Sequence, residues 1–276
     1  MSSKNIFLED SEAEEQAELN RLFVERMIPI TPALQRQKAI ASRLAERVAR
    51  SIAEYAGLLT VRRKDGIWTN LKKGVRVKSL WRGPEGSSVL IELAPGASLP
   101  IHRHKWLEEG IVLQGDLQIG DLELGLFDYH LSPVGSRHDR IRSRQGALAF
   151  LRGTSLGNTH AVFWELLSGM LSCKSGTVKT VFSGDEGWEQ VEPGVLKKDL
   201  CSDSILTSRF FHLAPETRII GYCHRHNAEY MIVSGEVFLG DTLLGAGEYQ
   251  LAPAGSRYGE VFSDVGALLF VRGATD

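Results

Sequence analysis

The segment LAPGASLPIHRHKWLEEGIVLQG, residues 93–115, returns later in the chain as LAPETRIIGYCHRHNAEYMIVSG, residues 213–235. The two align without a gap at an offset of about 120 residues, and the agreement extends outward on both sides. Downstream, Gly120-Asp121 matches Gly240-Asp241, the PxGSR turn at Pro133–Arg137 matches Pro253–Arg257, and GALAFLRG at 146–153 matches GALLFVRG at 266–273. Upstream, Trp68, Gly74, Val75, Lys78 and Leu80 fall on Trp188, Gly194, Val195, Lys198 and Leu200. One unit is therefore present twice.

Within each copy, short alternating apolar runs such as SVLIEL and DLQIG are interrupted by Gly, Pro, Asp or Ser every several residues. That is strand-and-turn patterning, and many short strands in about 90 residues predict a closed barrel or sandwich. The opening segment reads differently. Thr31-Pro32 is an N-cap followed by proline at the first helical position, and Leu34, Ile40, Leu44, Val48 and Ile52 then form one apolar helical stripe. A shorter acidic amphipathic stretch covers about Ser11 to Met27. The expected layout is a helical extension over 1–58, a first β-unit over 59–153, an apolar connector over 154–179 and a second β-unit over 180–276.

Composition narrows the function classes. A net charge of −2, with basic and acidic residues interspersed, offers no basic face for a phosphate backbone, so direct nucleic-acid binding is not expected. No basic segment leads into an apolar one at the start, and no apolar run is long enough to cross a bilayer. Three widely spaced cysteines form neither a disulfide framework nor a zinc or redox motif. The reading is a cytoplasmic protein without a membrane span.

The chemistry concentrates in the first copy. His102-x-His104 places two imidazoles on one face of a strand, because side chains alternate with a period of two. Glu108 on the next turn or strand, and His138 on a partner strand, can complete a set of three histidines and one carboxylate. Imidazole and carboxylate together suit zinc, iron, manganese, nickel or copper, and the ligand list alone does not choose among them. In the second copy the same positions read Tyr222, His224, Ala228 and Tyr258, so that unit is expected to be metal-free. A shifted alignment offers His224, His226 and Glu229 as an alternative second site.

The spacing Gly96, His102-x-His104, Glu108, Gly115, followed by Pro133-x-Gly135-x-x-His138, resembles the paired motifs of the cupin superfamily. The resemblance implies a mainly β bicupin, two tandem jelly-roll or β-barrel domains, with His102, His104, Glu108 and His138 on the family's ligand positions. The helix with TPAL, Trp68, GVRVKSL at 74–80 and the HRH motif together resemble the cupin half of ChrR-type anti-sigma factors. That likeness implies a regulatory or sensing protein of stress-responsive transcription. It further implies a sigma factor or other regulatory partner on the N-terminal helices, and a small-molecule ligand. One departure stands out: residues 1–60 contain neither His nor Cys, the residue types of the zinc-binding anti-sigma module. The alternative implied by related cupins is a non-haem metal dioxygenase acting on a small diketone or hydroxylated aromatic. Two barrels in one chain leave both a monomer with internal barrel pairing and a homodimer open.

Several residues have plainer readings. Glu109 alternates away from Glu108 and is expected in solvent or in a salt bridge, Arg137 and Arg257 are expected to anchor their turns, and Trp68 and Trp188 are expected in the core. Cys223 is expected to be buried and inert, His130 to be an ordinary strand histidine, and Tyr129 to be a low-ranking candidate for substrate contact.

Overall fold

A computed structural model describes residues 16–22, 33–156, 177–203, 205–221 and 223–274, without the side chains of Glu54 and His138. The chain divides into two compact units, residues 1–53 and 54–276. In the first, residues 16–22 are helical and Leu34–Tyr55 is one helix carrying the predicted apolar stripe; Thr31-Pro32 lies outside the described residues. Most of the connector, 157–176, does too.

Beyond the end of the helix Leu34–Tyr55, the described residues of the second unit form β-strands and their connecting turns. Its first large sheet runs in the order Lys179–Val181, Tyr129–Ser132, Glu108–Gly115, Ala147–Thr154, Gly86–Leu93, Val75–Gly83, Trp68–Lys72. The second runs Leu59–Val61, Tyr249–Ala252, Ala228–Leu239, Ala267–Ala274, Leu206–Leu213, Val195–Ser202, Glu189–Glu192. Each strand of one sheet has its repeat counterpart in the same place in the other. A smaller sheet closes each barrel, built on Ile141–Arg142 in the first and Glu260–Ser263 in the second.

The outermost strand of each large sheet comes from the other copy. Leu59–Val61 pairs antiparallel with Tyr249–Ala252, and Lys179–Val181 pairs with Tyr129–Ser132. The repeats thus exchange their first strands reciprocally, which covers one sheet edge of each barrel. The same alternation that directs His102 and His104 into a barrel directs other residues between the barrels. One core lies between them and pairs repeat-related residues: Leu80 with Leu200, Ile111 with Met231, Tyr129 with Tyr249, and Phe150 with Phe270. Each barrel also has its own core, around Ile91 and Val112 in the first and Ile232 and Val237 in the second.

Polar groups cross this boundary in related pairs. Glu229, 5% exposed, accepts from Tyr249 Oη at 2.8 Å, from Arg152 Nε of the first barrel at 3.1 Å, and from the Ser88 hydroxyl of the first barrel. Glu109, 1% exposed, accepts from Tyr129 Oη at 2.7 Å and lies 3.6 Å from Arg272 of the second barrel. Glu109 is therefore in a salt bridge, buried between the barrels.

The repeated glycines have a steric cause. Gly115 and Gly235 have φ of 74° and 72°, and a Cβ there would lie 1.8 Å from the Gly146 carbonyl oxygen and 2.0 Å from that of Gly266. Trp68 and Trp188 pack against the shared core, each beside a buried lysine, Lys78 and Lys198.

Candidate metal centre

His102 and His104 are presented by a short antiparallel ladder. His102–Arg103 pairs with Arg137–His138, and the register sets the backbone of His138 opposite His102. The side chain of His138 lies outside the described residues. His104 is clasped by the PxGSR turn, its N–H donating to the Ser136 carbonyl at 3.0 Å and its carbonyl accepting from Gly135 N–H at 2.8 Å. Ser136 closes the turn by donating from Oγ to the Pro133 carbonyl at 2.6 Å, so serine anchors it and the Arg137 side chain is exposed. Glu108 opens the strand Glu108–Gly115, opposite Ser132.

These elements bring three predicted residues together. The ligand atoms of His102, His104 and Glu108 all lie within 4.8 Å of one another, with His104 and Glu108 buried. His104 Nδ1 is 3.7 Å from Glu108 Oε1, and the two imidazole rings meet edge to face at 5.0 Å. His102 Nδ1 lies 3.0 Å from the Pro100 carbonyl. A histidine that gives its Nδ1–H to a carbonyl presents Nε2 as a ligand, the usual outer support of a metal-binding imidazole. The donor set and this support fit a divalent transition metal.

A cavity of about 200 Å³ adjoins the group, lined by His102, Glu108, Gly110, His130 and Ser132 and by aliphatic residues including Ile91, Leu93 and Val112. His130 enters this site although its sequence context gave no sign of it. It is 7% exposed, and its Nδ1 lies 2.9 Å from the Thr180 hydroxyl on the exchanged strand. Burial lowers its pKa to about 4, with the Glu108 charge opposing and His104 adding to the shift. The signal that would have found His130 is its place two residues before Ser132 on the strand beside Glu108, which needs the strand pairing. Tyr129 faces the other way, fully buried against Glu109 and distant in role from the metal group.

The second barrel keeps the scaffold and changes the contents. His224 is clasped like His104, donating to the Ser256 carbonyl at 2.9 Å and accepting from Gly255 at 2.7 Å. Tyr230 stands where the first barrel has Gly110, Gln250 where it has His130, and Tyr258 where it has His138. The rings of His224, Tyr230 and Tyr258 contact one another at 5.1 to 5.7 Å between centroids. Burial lowers the His224 pKa to about 4. His226 is exposed, and Glu229 is held between the barrels, so among the described residues no three-ligand group forms around His224. Tyr222 lies outside the described residues. Cys223 is exposed, not buried, because its strand is reduced there to a single bridge with Arg257 at the barrel mouth.

Residues 57–156 match the family profile described as the ChrR cupin-like domain. The chain has the bicupin fold. Solved structures with this fold include a candidate dioxygenase from Nostoc punctiforme, with 15% identity and a TM-score of 0.59 over 78% of this chain and 81% of that one. AerE from Microcystis aeruginosa has 17% identity and a TM-score of 0.55, over 76% and 97% of the two chains. A variant of oxalate decarboxylase from Bacillus subtilis has 17% identity and a TM-score of 0.56, over 79% and 77%. At these identities the likeness is one of fold. No curated protein matches this chain in sequence. Among the described residues no helix is long and apolar enough to cross a membrane.

Proposed function

We propose that this bicupin is a ChrR-like sensing protein of stress-responsive transcription, with its signal read at the metal centre of the first barrel. His102, His104, Glu108 and His138 would hold one divalent metal, zinc in the first instance, and a small molecule or oxidant would reach it from the adjoining cavity. The N-terminal helical segment would carry the response to a sigma factor or another regulatory protein in the cytoplasm. The observation that carries this reading is the convergence of His102, His104 and Glu108 inside the segment that matches the ChrR cupin-like profile.

A second reading is favoured by the cavity. A closed structural zinc site needs no space beside its ligands, whereas a site that acts on a bound molecule keeps an open position. With iron in the same residues the centre would orient and polarise a small diketone or hydroxylated aromatic for dioxygen chemistry.

Elemental analysis of the purified full chain, grown with Fe, Mn, Ni and Zn available and with His138→Ala as control, separates the readings. About one zinc per chain, lost in the variant, supports the sensor. Iron at the same site, with oxygen uptake on adding a diketone, supports the enzyme. A chain without metal removes both.

A further inference from the structure

The side chains that replace the metal group in the second barrel do not fill its lumen. A cavity of about 580 Å³ lies there, against about 200 Å³ in the first barrel. Its size falls within the range of small-molecule sites, about 300–1,000 Å³. The walls are apolar, with Val195, Leu213, Val261 and Leu269 buried along them. Close-packed interiors leave few voids larger than a water molecule, and a large apolar one stays dry and takes up apolar molecules.

The charges bordering the two lumens differ. Glu108 of the first has Ala228 as its counterpart in the second, and the buried Val89 has Arg209, which lines the larger cavity. Arg209 is held in place by donating from Nε to Asp199 Oδ1 at 3.0 Å and from Nη1 to the Ala274 carbonyl at 3.2 Å. Ala274 lies two residues past Arg272, which pairs with Glu229, so the guanidinium reaches toward the rim formed by residues 224–227. Arg225 lines the cavity from that rim, exposed and without an ion pair among the described residues. The facing carboxylates, Asp199 and Glu192, are both exposed, so solvent screens them more than it screens the largely buried Arg209. His224, the remaining polar group of the inner wall, is neutral near pH 7, since burial lowers its pKa to about 4.

We propose that the second barrel binds a small amphiphilic monocarboxylate, with its apolar body in the lumen and its carboxylate at the rim beside Arg225 and Arg209. This site is separate from the metal centre and does not rest on it. Each half of the bicupin then has its own ligand class: a cation where the lumen supplies histidine and glutamate, and an organic anion where it supplies arginine and a wide apolar space.

The test is calorimetric titration of the full chain with decanoate, and with decanol as its uncharged counterpart, both below the concentrations at which they aggregate. The wild type takes up one decanoate per chain and binds decanol about tenfold more weakly or worse. Arg225→Glu, at an exposed position, weakens decanoate by about tenfold and leaves decanol unchanged, as expected when an attraction becomes a repulsion. Ala228→Phe, which narrows the lumen, weakens both. Stripping the chain of metal with a chelator leaves decanoate affinity as it was. A wild type that binds neither probe, or both equally, overturns the proposal. So does a decanoate affinity that Arg225→Glu or a folded Ala228→Phe leaves unchanged, or one that disappears with the metal, which would put the carboxylate on the first barrel's centre. Arg225→Glu and metal removal decide the matter even where Ala228→Phe does not fold. A chain that holds no metal yet binds decanoate in this way would remove the metal centre and leave this site standing.

Discussion

The two barrels share a scaffold and differ in what fills it. Between them, at the shared core, repeat-related residues are alike or similar: Tyr129 and Tyr249, Phe150 and Phe270, Glu109 and Glu229, Arg152 and Arg272. In the lumen they diverge: Gly110 corresponds to Tyr230, Glu108 to Ala228, and His130 to Gln250. The same fold thus holds a ligand group beside a cavity of about 200 Å³ in one half, and in the other an aromatic cluster around His224 beside a larger cavity of about 580 Å³. The interface constrains the two repeats jointly, because each side packs on its own image, whereas each lumen can change alone. It also explains why the PxGSR turn persists in both: it clasps the backbone of His104 and of His224, whatever the histidine then does.

Substitutions in the interface and in each lumen test this contrast. The largest effect is expected at the interface. Glu229→Ala leaves the buried Arg152 guanidinium without its principal buried partner, and should lower unfolding free energy by about 3 kcal/mol or more while metal content is unchanged. Denaturant titration with elemental analysis on the same sample checks both, and a loss of metal would place Glu229 in the site. Next comes the lumen of the first barrel. His104→Ala should weaken metal binding by about a hundredfold or more, as expected when one of very few ligands is removed. His224→Ala should not change metal binding, and competition with a chromophoric chelator distinguishes the two.

The third concerns pH. Burial lowers the His224 pKa from 6.5 to about 4, so the folded state resists protonation that the unfolded state accepts. Stability from this group is full above pH 6.5 and is lost as pH falls toward 4, by on the order of 2 kcal/mol. Thermal unfolding of the metal-free chain across that window should show the slope, and His224→Gln should reduce it, leaving the share contributed by His130, whose pKa burial also lowers to about 4. The smallest effect belongs to the exchanged strand of the second barrel. Thr60→Val removes the acceptor for Gln250 and should cost about 1 kcal/mol with no effect on metal binding. An effect on binding would mean that the two lumens are coupled through the interface.

Much of this could be read along the chain. The repeat, the strands, the glycines at positive φ and the grouping of His102, His104 and Glu108 follow from local spacing, since a strand's period of two and a turn's need for glycine act over a few residues. Glu109 was legible in part: alternation turned it away from Glu108, but only the packing of barrel on barrel makes that direction an interior. Cys223 went the other way: it was expected to be buried, and it is exposed where its backbone makes only a single bridge with Arg257. His130 was missed because its role depends on Gly110 across one ladder and Thr180 across another, neither close in sequence.

That this protein is a doubled β-unit with one metal-type residue set follows from its amino-acid sequence, because repetition, alternation and turn chemistry are local properties. Tertiary structure alone decided the reciprocal strand exchange, the charged network between the barrels and the approach of His130 to the ligand group. Those depend on pairings between segments tens to nearly two hundred residues apart, such as Thr60 with Gln250, which only the closed fold brings within hydrogen-bond reach.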